Sequence, residues 1–480
     1  MPPHAPHAHD RNHDEHAHPH PSTHPSPHPT PHPSHGPPPH PRRRPLLALL
    51  CLAQFMLIAD VTVVNVALPA IGADLSLTGT GLTWIVTAYT LFFGALLLAG
   101  GRLADRFGAV RTFLTGLALF TAASAASGLA GDAATLIAAR SAQGVGAALL
   151  SPAALSLVTT LFQGPARHRA LGAWAAIGGT GAALGVLLGG ILTDGPGWRW
   201  IFYLNLPVGA VALLGVPLLL GRPLPATSAT ADPARASAPL NVPAILLPTL
   251  AAGALVYGLT ERSWLPTLAA LAVLALLIAT QRRSANPLMP PAMPGRRSLL
   301  GGSTVMLGAA GLLVTGFYLS SLHIQQSLGR SPLITGLAFL PAAVAATAGA
   351  HLGSRLLPRF GWRPVGAAAF TVAAAGAALT SLGGLWSGLV PGFALLALGL
   401  GAAFVCATTS ALSEVAPAHT GLASGLVGTS HELGAAIAIA ALASADFTTL
   451  AYPATALALA IPLLLPKGHP DPNSTQAMAH

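Results

Sequence analysis

The stretch "LAQFMLIADVTVVNVALP", Leu52–Pro69, decides the fold class, because it is almost wholly apolar and yet carries a carboxylate near its middle. It belongs to a longer apolar run that begins at Leu46. A helix of about 20 apolar residues is long enough to cross a bilayer. A carboxylate at that depth costs ~2.5–3.5 kcal/mol on insertion scales, so ionisable residues inside spans are usually functional. Asp60 is therefore the first candidate site residue.

The composition predicts an all-α integral membrane protein. The chain has 480 residues, of which 52% are hydrophobic and 8% are charged, whereas soluble domains carry about 25% charged residues. The apolar segments are long runs, unlike the short alternating strands of a barrel. The net charge of +9 comes from short Arg clusters between these runs, which indicates topology rather than a nucleic-acid partner. Cys51 and Cys406 lie inside apolar runs and predict neither a disulfide nor a zinc site.

Fourteen apolar segments are candidate transmembrane helices. The eighth is short for a bilayer of ordinary thickness. The predicted spans are 46–68, 83–100, 112–130, 133–161, 170–192, 200–220, 240–259, 264–280, 299–322, 333–353, 365–383, 389–411, 421–443 and 447–466.

The distribution of basic residues predicts the orientation. With a cytoplasmic N-terminus, the inner segments hold 19 of the 23 basic residues, the outer loops hold three, and Arg140 lies within a span. Cytoplasmic loops of membrane proteins are enriched in Lys and Arg. We therefore expect a multi-pass protein of the plasma membrane with both termini in the cytoplasm.

An internal repeat predicts two related halves. The segment "GGRLADRFG", Gly100–Gly108, aligns with "GSRLLPRFG", Gly353–Gly361, at an offset of 253 residues. Both copies fall on the predicted cytoplasmic side, so the repeat is parallel, with a pseudo-twofold axis along the membrane normal. The predicted organisation is a six-helix bundle in 45–220, a linker with two extra helices in 221–298, and a second six-helix bundle in 299–466.

The two ends of the chain are predicted to be cytoplasmic tails, at 1–44 and 467–480. Residues 1–44 hold 12 of the 19 histidines and many prolines, a composition that cannot form a packed core and predicts disorder. His-rich tracts can bind metals, but the spacing is irregular and we predict no fixed metal site. The first 40 residues contain no apolar segment typical of a cleaved signal peptide.

Four segments of the chain are distinctive motifs: the opening stretch, "GRLADRFGAVR" (Gly101–Arg111), "LIAARSAQGVGAA" (Leu136–Ala148) and "GGTGAALGVLLGG" (Gly178–Gly190). With these motifs the chain resembles, over roughly residues 46–466, the fourteen-span drug:proton antiporter branch of the major facilitator superfamily. The resemblance implies that the predicted loop Gly101–Arg111 acts as a conformational latch. The alternative is a basic loop that only sets the topology. The predicted latch residues are Gly101, Asp105, Arg106, Gly108 and Arg111.

The resemblance and the in-membrane charges together suggest the proton-coupling residues. Asp60 and Arg140 lie at compatible depths in the first and fourth spans, so we expect them to pair and Asp60 to bind the proton; the alternative is a static brace. His431 and Glu432 stand where relatives carry Arg-Gln. They form a second candidate pair, or they only hydrogen-bond each other or the backbone.

The remaining polar residues of the spans are expected to line the substrate cavity, and glycines at every fourth position to pack helices closely. The predicted cavity residues are Gln54, Asn65, Tyr89, Gln143 and Gln325, and the packing glycines are Gly181, Gly185 and Gly189. Val186 stands where the family's antiporter motif has Pro, which leaves uniport open beside antiport.

The sequence thus predicts a monomeric secondary transporter, not an enzyme and without a cofactor. It would export small amphipathic compounds in exchange for protons by alternating access. No phosphate-binding loop indicates ATP hydrolysis. Two alternatives remain: a metal-ion exporter that uses the His-rich tail, and a membrane sensor that transports nothing.

Overall fold

In the described residues the structure, a computed structural model, is entirely helical. It describes residues 43–77, 79–162, 165–220, 242–283, 296–380, 382, 384–415, 420–443 and 451–465. The predicted tails, 1–44 and 467–480, lie almost wholly outside these ranges, as do residues 221–241 and 284–295 of the predicted linker 221–298.

The helices are numbered here in chain order. They are α1 (Arg43–Asp74), α2 (Gly79–Phe107), α3 (Ala109–Leu129), α4 (Ala133–Leu161), α5 (Pro165–Asp194), α6 (Trp200–Tyr203), α7 (Asn205–Leu220), α8 (Val242–Thr260), α9 (Trp264–Arg283), α10 (Arg296–Leu322), α11 (Pro332–Phe360), α12 (Trp362–Leu379), α13 (Val390–Leu412), α14 (Thr420–Leu442) and α15 (Ala451–Leu464).

Each of the fourteen predicted spans overlaps observed helix. Ten helical segments in the described ranges are long and apolar enough to cross a membrane. The predicted eighth span, 264–280, is one of them, because α9 continues to Arg283 and reaches 20 residues. The sixth predicted span, 200–220, is broken at Leu204 into α6 and α7. An all-helical, multi-pass membrane protein is therefore the architecture.

Equivalent turns follow the two copies of the repeated segment. Gly108 begins α3 with φ of 92°, and Gly361 begins α12 with φ of 80°. Residues with a side chain rarely adopt such positive φ values, which explains the glycine at the end of both copies. The next turn is alike as well, because Thr112 N–H donates to the Gly108 carbonyl and Val365 N–H donates to the Gly361 carbonyl.

Equivalent helix crossings also recur at the same offset. A Cβ on Gly146 of α4 would lie 2.9 Å from the Gly116 carbonyl oxygen and 2.7 Å from the Phe120 nitrogen of α3. On α13, a Cβ on Gly399 would meet the Ala369 carbonyl and lie 2.7 Å from the Ala373 nitrogen of α12. Glycine at these two positions lets each helix pair approach to backbone contact.

Several contacts between described helices join the first seven helices to the later ones. α5 packs against α11, α2 packs against α14, and α1 touches both α10 and α11. α8 contacts both α2 and α14, with Val256 buried among Leu91, Ala436 and Ala440. α8 therefore lies where α2 and α14 meet, and α9 packs against α8.

Candidate functional site

Asp60 lies in a closed polar cluster between helices α1, α3, α4 and α7. Its carboxylate accepts hydrogen bonds from Arg140 Nη1 at 2.5 Å, from Gln143 Nε2 at 3.2 Å and from Asn205 Nδ2 at 3.0 Å. The Asp60 and Arg140 side chains are each 1% exposed. Buried charges are tolerated when they are paired and hydrogen-bonded, and both conditions are met at Asp60 and Arg140.

Arg140 has further acceptors besides Asp60. Its Nε donates to the Ile85 carbonyl of α2 at 3.2 Å, and Nη1 also donates to Gln143 Oε1 at 2.9 Å. The guanidinium lies over the ring of Tyr89, 4.4 Å from its centroid, a geometry that stabilises a desolvated cation. Arg140 thus connects α4 to both α1 and α2.

Two serines of α3 complete this group, called here the Asp60 cluster. Ser124 Oγ accepts from Gln143 Nε2 at 2.8 Å and from Asn205 Nδ2 at 3.2 Å, and Ser127 Oγ donates to Gln143 Oε1 at 3.2 Å. Sequence reasoning missed Ser124, Ser127 and Asn205. Asn205 could have been found from the sequence, because it is a polar amide within the apolar predicted span 200–220. Serines are common in apolar runs, so Ser124 and Ser127 could not.

The structure brings Asp60 and Arg140 together and adds two residues that were predicted elsewhere. Gln143 and Tyr89 were expected to line the substrate cavity. Both are instead fully buried, Gln143 within the Asp60 cluster and Tyr89 against it. The Tyr89 hydroxyl has no hydrogen-bond partner among the described residues.

The other predicted cavity residues are Gln54 and Asn65, which lie on a different face of α1 from Asp60, and Gln325, which contacts α1. Asn65 Nδ2 donates to the Val61 carbonyl at 2.8 Å. The Asn65 Oδ1 and Gln54 Oε1 atoms are buried and lack a partner within the described part of the chain. Gln325 Nε2 donates across the two halves to the Val66 carbonyl at 2.8 Å. Unpaired buried acceptors need a donor from water or a ligand.

His431 and Glu432 form a separate pair on α14. His431 Nδ1 is 3.0 Å from Glu432 Oε1, and the two side chains are 40% and 14% exposed. The imidazole packs on the Phe404 ring, with centroids 5.6 Å apart. A Cβ on Gly94 of α2 would lie 2.7 Å from the Glu432 Cβ, so this pair stands at the contact between the two halves.

The predicted latch residues do not form a loop, because α2 continues to Phe107 and α3 begins at Ala109, which leaves only Gly108 between the helices. Asp105, Arg106 and Arg111 are exposed there, and the Arg106 guanidinium lies 5.6 Å from the centre of the Phe107 ring. Gly101 is half-buried, and Gly108 supplies the positive-φ turn described above.

The three predicted packing glycines all face α1. A Cβ on Gly181 would lie 3.2 Å from Ile58 Cγ2, one on Gly185 would lie 3.1 Å from Ala59 Cα, and one on Gly189 would lie 3.0 Å from Val63 Cα. The spacing of four residues thus gives α5 one face for close contact with the helix that carries Asp60.

Comparisons with known proteins place these features in a family. Residues 50–439 match the family described as the Major Facilitator Superfamily. The puromycin resistance protein pur8 of Streptomyces alboniger is 41% identical over 349 residues, 70% of this chain and 67% of the relative. The cephamycin export protein CmcT of Amycolatopsis lactamdurans is 37% identical over 342 residues, 69% of this chain and 68% of that protein.

Solved structures agree at the level of the fold. An auto-inhibited POT family peptide transporter superposes with a TM-score of 0.64 at 17% identity, covering 88% of this chain and 96% of that one. The POT family transporter PepTSo gives 0.65 at 16% identity, covering 92% and 99%. With a family match over most of its length and relatives this similar, the chain belongs to the major facilitator superfamily.

Proposed function

We propose that this protein exports small amphipathic compounds, antibiotics among them, in exchange for protons. Its relatives are described as resistance proteins for puromycin and lincomycin and as an export protein for cephamycin. Binding sites for amphipathic compounds need apolar walls with a few placed polar groups. This chain offers such groups in Gln54, Asn65 and Gln325.

The observation that carries the proton-exchange part is the buried Asp60–Arg140 pair. The ionised carboxylate accepts three hydrogen bonds, and protonation would remove the charge that Arg140 balances. Arg140 would still have the Gln143 Oε1 and Ile85 carbonyl acceptors. In this proposal the cluster takes a second arrangement when Asp60 is protonated, and the change between the two moves α1 relative to α4.

The His431–Glu432 pair is the second titratable element of the proposal. His431 is more exposed than any member of the Asp60 cluster. A histidine changes charge near physiological pH more easily than any other side chain. Because Glu432 packs against Gly94 of α2, a change of charge there acts on the contact between the halves.

Alternating access is supported by the contacts at one end of the bundle. Thr83 Oγ1 and Tyr318 Oη are 3.3 Å apart across α2 and α10, and Gln325 reaches the Val66 carbonyl. A Cβ on Gly336 of α11 would lie 3.4 Å from the Gly190 Cα of α5. In the predicted orientation this end faces outward, so the proposal describes the structure as closed on the outside.

The proposed topology has fourteen spans, with both termini in the cytoplasm and a monomer as the working unit. Its support is the overlap of every predicted span with observed helix and the recurrence of turns and crossings at an offset of 253 residues. In this scheme residues 45–220 and 299–466 form parallel six-helix bundles, and α8–α9 are the two extra helices. The segment from Gly101 to Arg111, which is the end of α2, Gly108 and the start of α3, acts as the latch of the inner face.

The proposal is tested by efflux assays in bacteria that lack their own drug exporters. Cells that express the chain should tolerate higher concentrations of some amphipathic antibiotics and accumulate less of them, and collapse of the proton gradient should abolish the difference. A panel that includes zinc and nickel separates the metal-export alternative. Unchanged tolerance to every antibiotic, with the protein abundant in the membrane, would contradict the proposal.

A further inference from the structure

An apolar groove runs along the surface of the second half between helices α11, α12 and α13. Its volume is about 350 Å³, and residues of small side chain, including Gly349 and Gly399, form its floor. The exposed walls are apolar. They are formed by Leu352, Leu356, Phe360, Pro364 and Ala368.

The length of the groove matches one leaflet of a bilayer. It extends along α11 from Gly349 to Phe360, which corresponds to roughly 16 Å at about 1.5 Å per residue. The hydrocarbon core of a bilayer is about 30 Å thick. An extended acyl chain of one leaflet therefore fits along the groove.

Arginines stand at the end of the groove that Phe360 and Pro364 form. Arg355 and Arg359 are exposed on the last turns of α11, and the Arg359 guanidinium lies 5.3 Å from the centre of the Phe360 ring. Neither arginine has a carboxylate partner among the described residues. Arg363, on the first turn of α12, donates from Nε to the Leu465 carbonyl at 3.0 Å.

The repeat shows that this positive charge is particular to the second half. At an offset of 253 residues, Arg102 and Arg106 correspond to Arg355 and Arg359, while Asp105 corresponds to Pro358. The first copy thus carries an acid between its arginines and the second does not. The second copy is left as a purely basic site beside an apolar groove.

We propose that this groove binds an anionic phospholipid, with one acyl chain between α11, α12 and α13 and the phosphate at Arg355 and Arg359. Basic pockets between transmembrane helices on the cytoplasmic side are suited to anionic headgroups. In the predicted orientation, the connection between α11 and α12 lies at the inner leaflet. The site is separate from the Asp60 cluster and from the transported compound.

The test is native mass spectrometry of the full-length protein in detergent, titrated with dioleoyl phosphatidylglycerol, with dioleoyl phosphatidylcholine and with inorganic phosphate. The anionic lipid should bind more tightly than the neutral one, and each of Arg355→Gln and Arg359→Gln should weaken it by about fivefold. Arg330→Gln, which removes an exposed arginine of the α10–α11 connection, should leave binding unchanged.

A second pair of variants tests the acyl chain. Ala368→Phe fills the groove and should weaken both lipids, whereas Ala375→Phe, at an exposed position of α12 outside the groove, should not. Equal affinity for the two lipids, or full binding by Ala368→Phe, would overturn the proposal. Competition by inorganic phosphate at the same concentration as the lipid would also overturn the proposal. The site would then recognise phosphate without an acyl chain.

Discussion

The Asp60 carboxylate has hydrogen-bond donors around it although it lies deep in an apolar helix. Three donors from α4 and α7 surround its carboxylate, and the Tyr89 ring covers its arginine partner. Removal of one partner from such a buried pair typically costs ~3–5 kcal/mol, because the other charge is left uncompensated. Loss of either partner should therefore weaken the contact between α1 and α4, and in the proposed mechanism protonation of Asp60 acts on the same contact.

The positive-φ turn at Gly108 predicts a stability effect that depends on the backbone alone. A Cβ at Gly108 would meet nothing within 4 Å, but its φ is 92°. Gly108→Ala should therefore lower the apparent melting temperature in detergent, since such backbone strain costs ~1–3 kcal/mol. Gly79→Ala is the control, because that position also has open space and lacks the positive φ. Equal melting temperatures for the two variants would contradict this reading.

Asp132 predicts a pH effect at the start of α4. It precedes the helix and accepts from the Thr135 backbone N–H at 2.9 Å and from Thr135 Oγ1 at 2.8 Å. These hydrogen bonds lower the pKa of Asp132 below its usual value. A lowered carboxyl pKa stabilises the folded state above the unfolded pKa of about 3.9, and that contribution is lost as the pH falls through the folded pKa.

Two substitutions separate the cap from the charge of Asp132. Asp132→Asn should keep the cap and lose the pH dependence, whereas Asp132→Ala should lose both and melt at a lower temperature at pH 7. The measurement is thermal unfolding of each variant between pH 3 and pH 7. A melting temperature for Asp132→Ala equal to that of the wild type at pH 7 would refute the capping role.

At the scale of helices, the sequence predicts the elements well and their interruptions poorly. Long apolar runs and Arg clusters locate the spans, because both follow from the thickness and the charge asymmetry of the membrane. The break at Leu204 precedes Pro207 and the π-helical turn at Leu385–Leu389 precedes Pro391, whereas the π-helical turn at His323–Ser327 has no comparable local signal. Asn205, the first residue after the break, donates to Asp60 in the Asp60 cluster.

The contact between α5 and α1 predicts which glycines cannot be replaced. A Cβ on Gly189 would lie 3.0 Å from Val63 Cα and 3.1 Å from the Val63 carbonyl oxygen, both backbone atoms. Gly189→Ala should force the helices apart and lower stability by ~1–3 kcal/mol, as overpacking does. Gly253→Ala on α8, where the nearest atom would be 4.0 Å away, should be neutral or stabilising. Thermal unfolding in detergent compares the two, and an unchanged Gly189→Ala would show that α5 and α1 are not close-packed there.

At the scale of the whole molecule, the parallel repeat stays a prediction, supported by the equivalent turns and helix crossings, and the surroundings of two polar residues differ from those predicted. Gln143 and Tyr89 resemble cavity residues because they are polar groups in apolar spans. The structure turns both toward the Asp60 cluster. Small rotations of a helix decide between a cavity and a packed interior, and the sequence pattern alone does not fix such rotations. The pairing of Asp60 with Arg140 was accessible because a buried charge requires a partner.

The N-terminal tail predicts a deletion without effect on transport. Residues 1–44 are rich in His and Pro, and such a composition contributes no packed core. Removal of residues 2–40, with Arg42–Arg44 retained as topology determinants, should leave membrane insertion and antibiotic efflux intact. The measurement is efflux at matched protein abundance. Lost efflux with normal abundance would contradict the expectation, and a loss confined to zinc or nickel tolerance would favour metal export.

The measurement that tests the central claim most directly is proton-driven substrate transport by Asp60→Asn in reconstituted vesicles with an imposed pH gradient. Asn keeps the shape of Asp and cannot bind and release a proton, so uphill transport should be abolished while downhill exchange of substrate continues. Asp60→Glu is the matched control and should retain part of the uphill activity. Uphill transport by Asp60→Asn at the wild-type rate would contradict the account and would leave His431–Glu432 as the coupling pair.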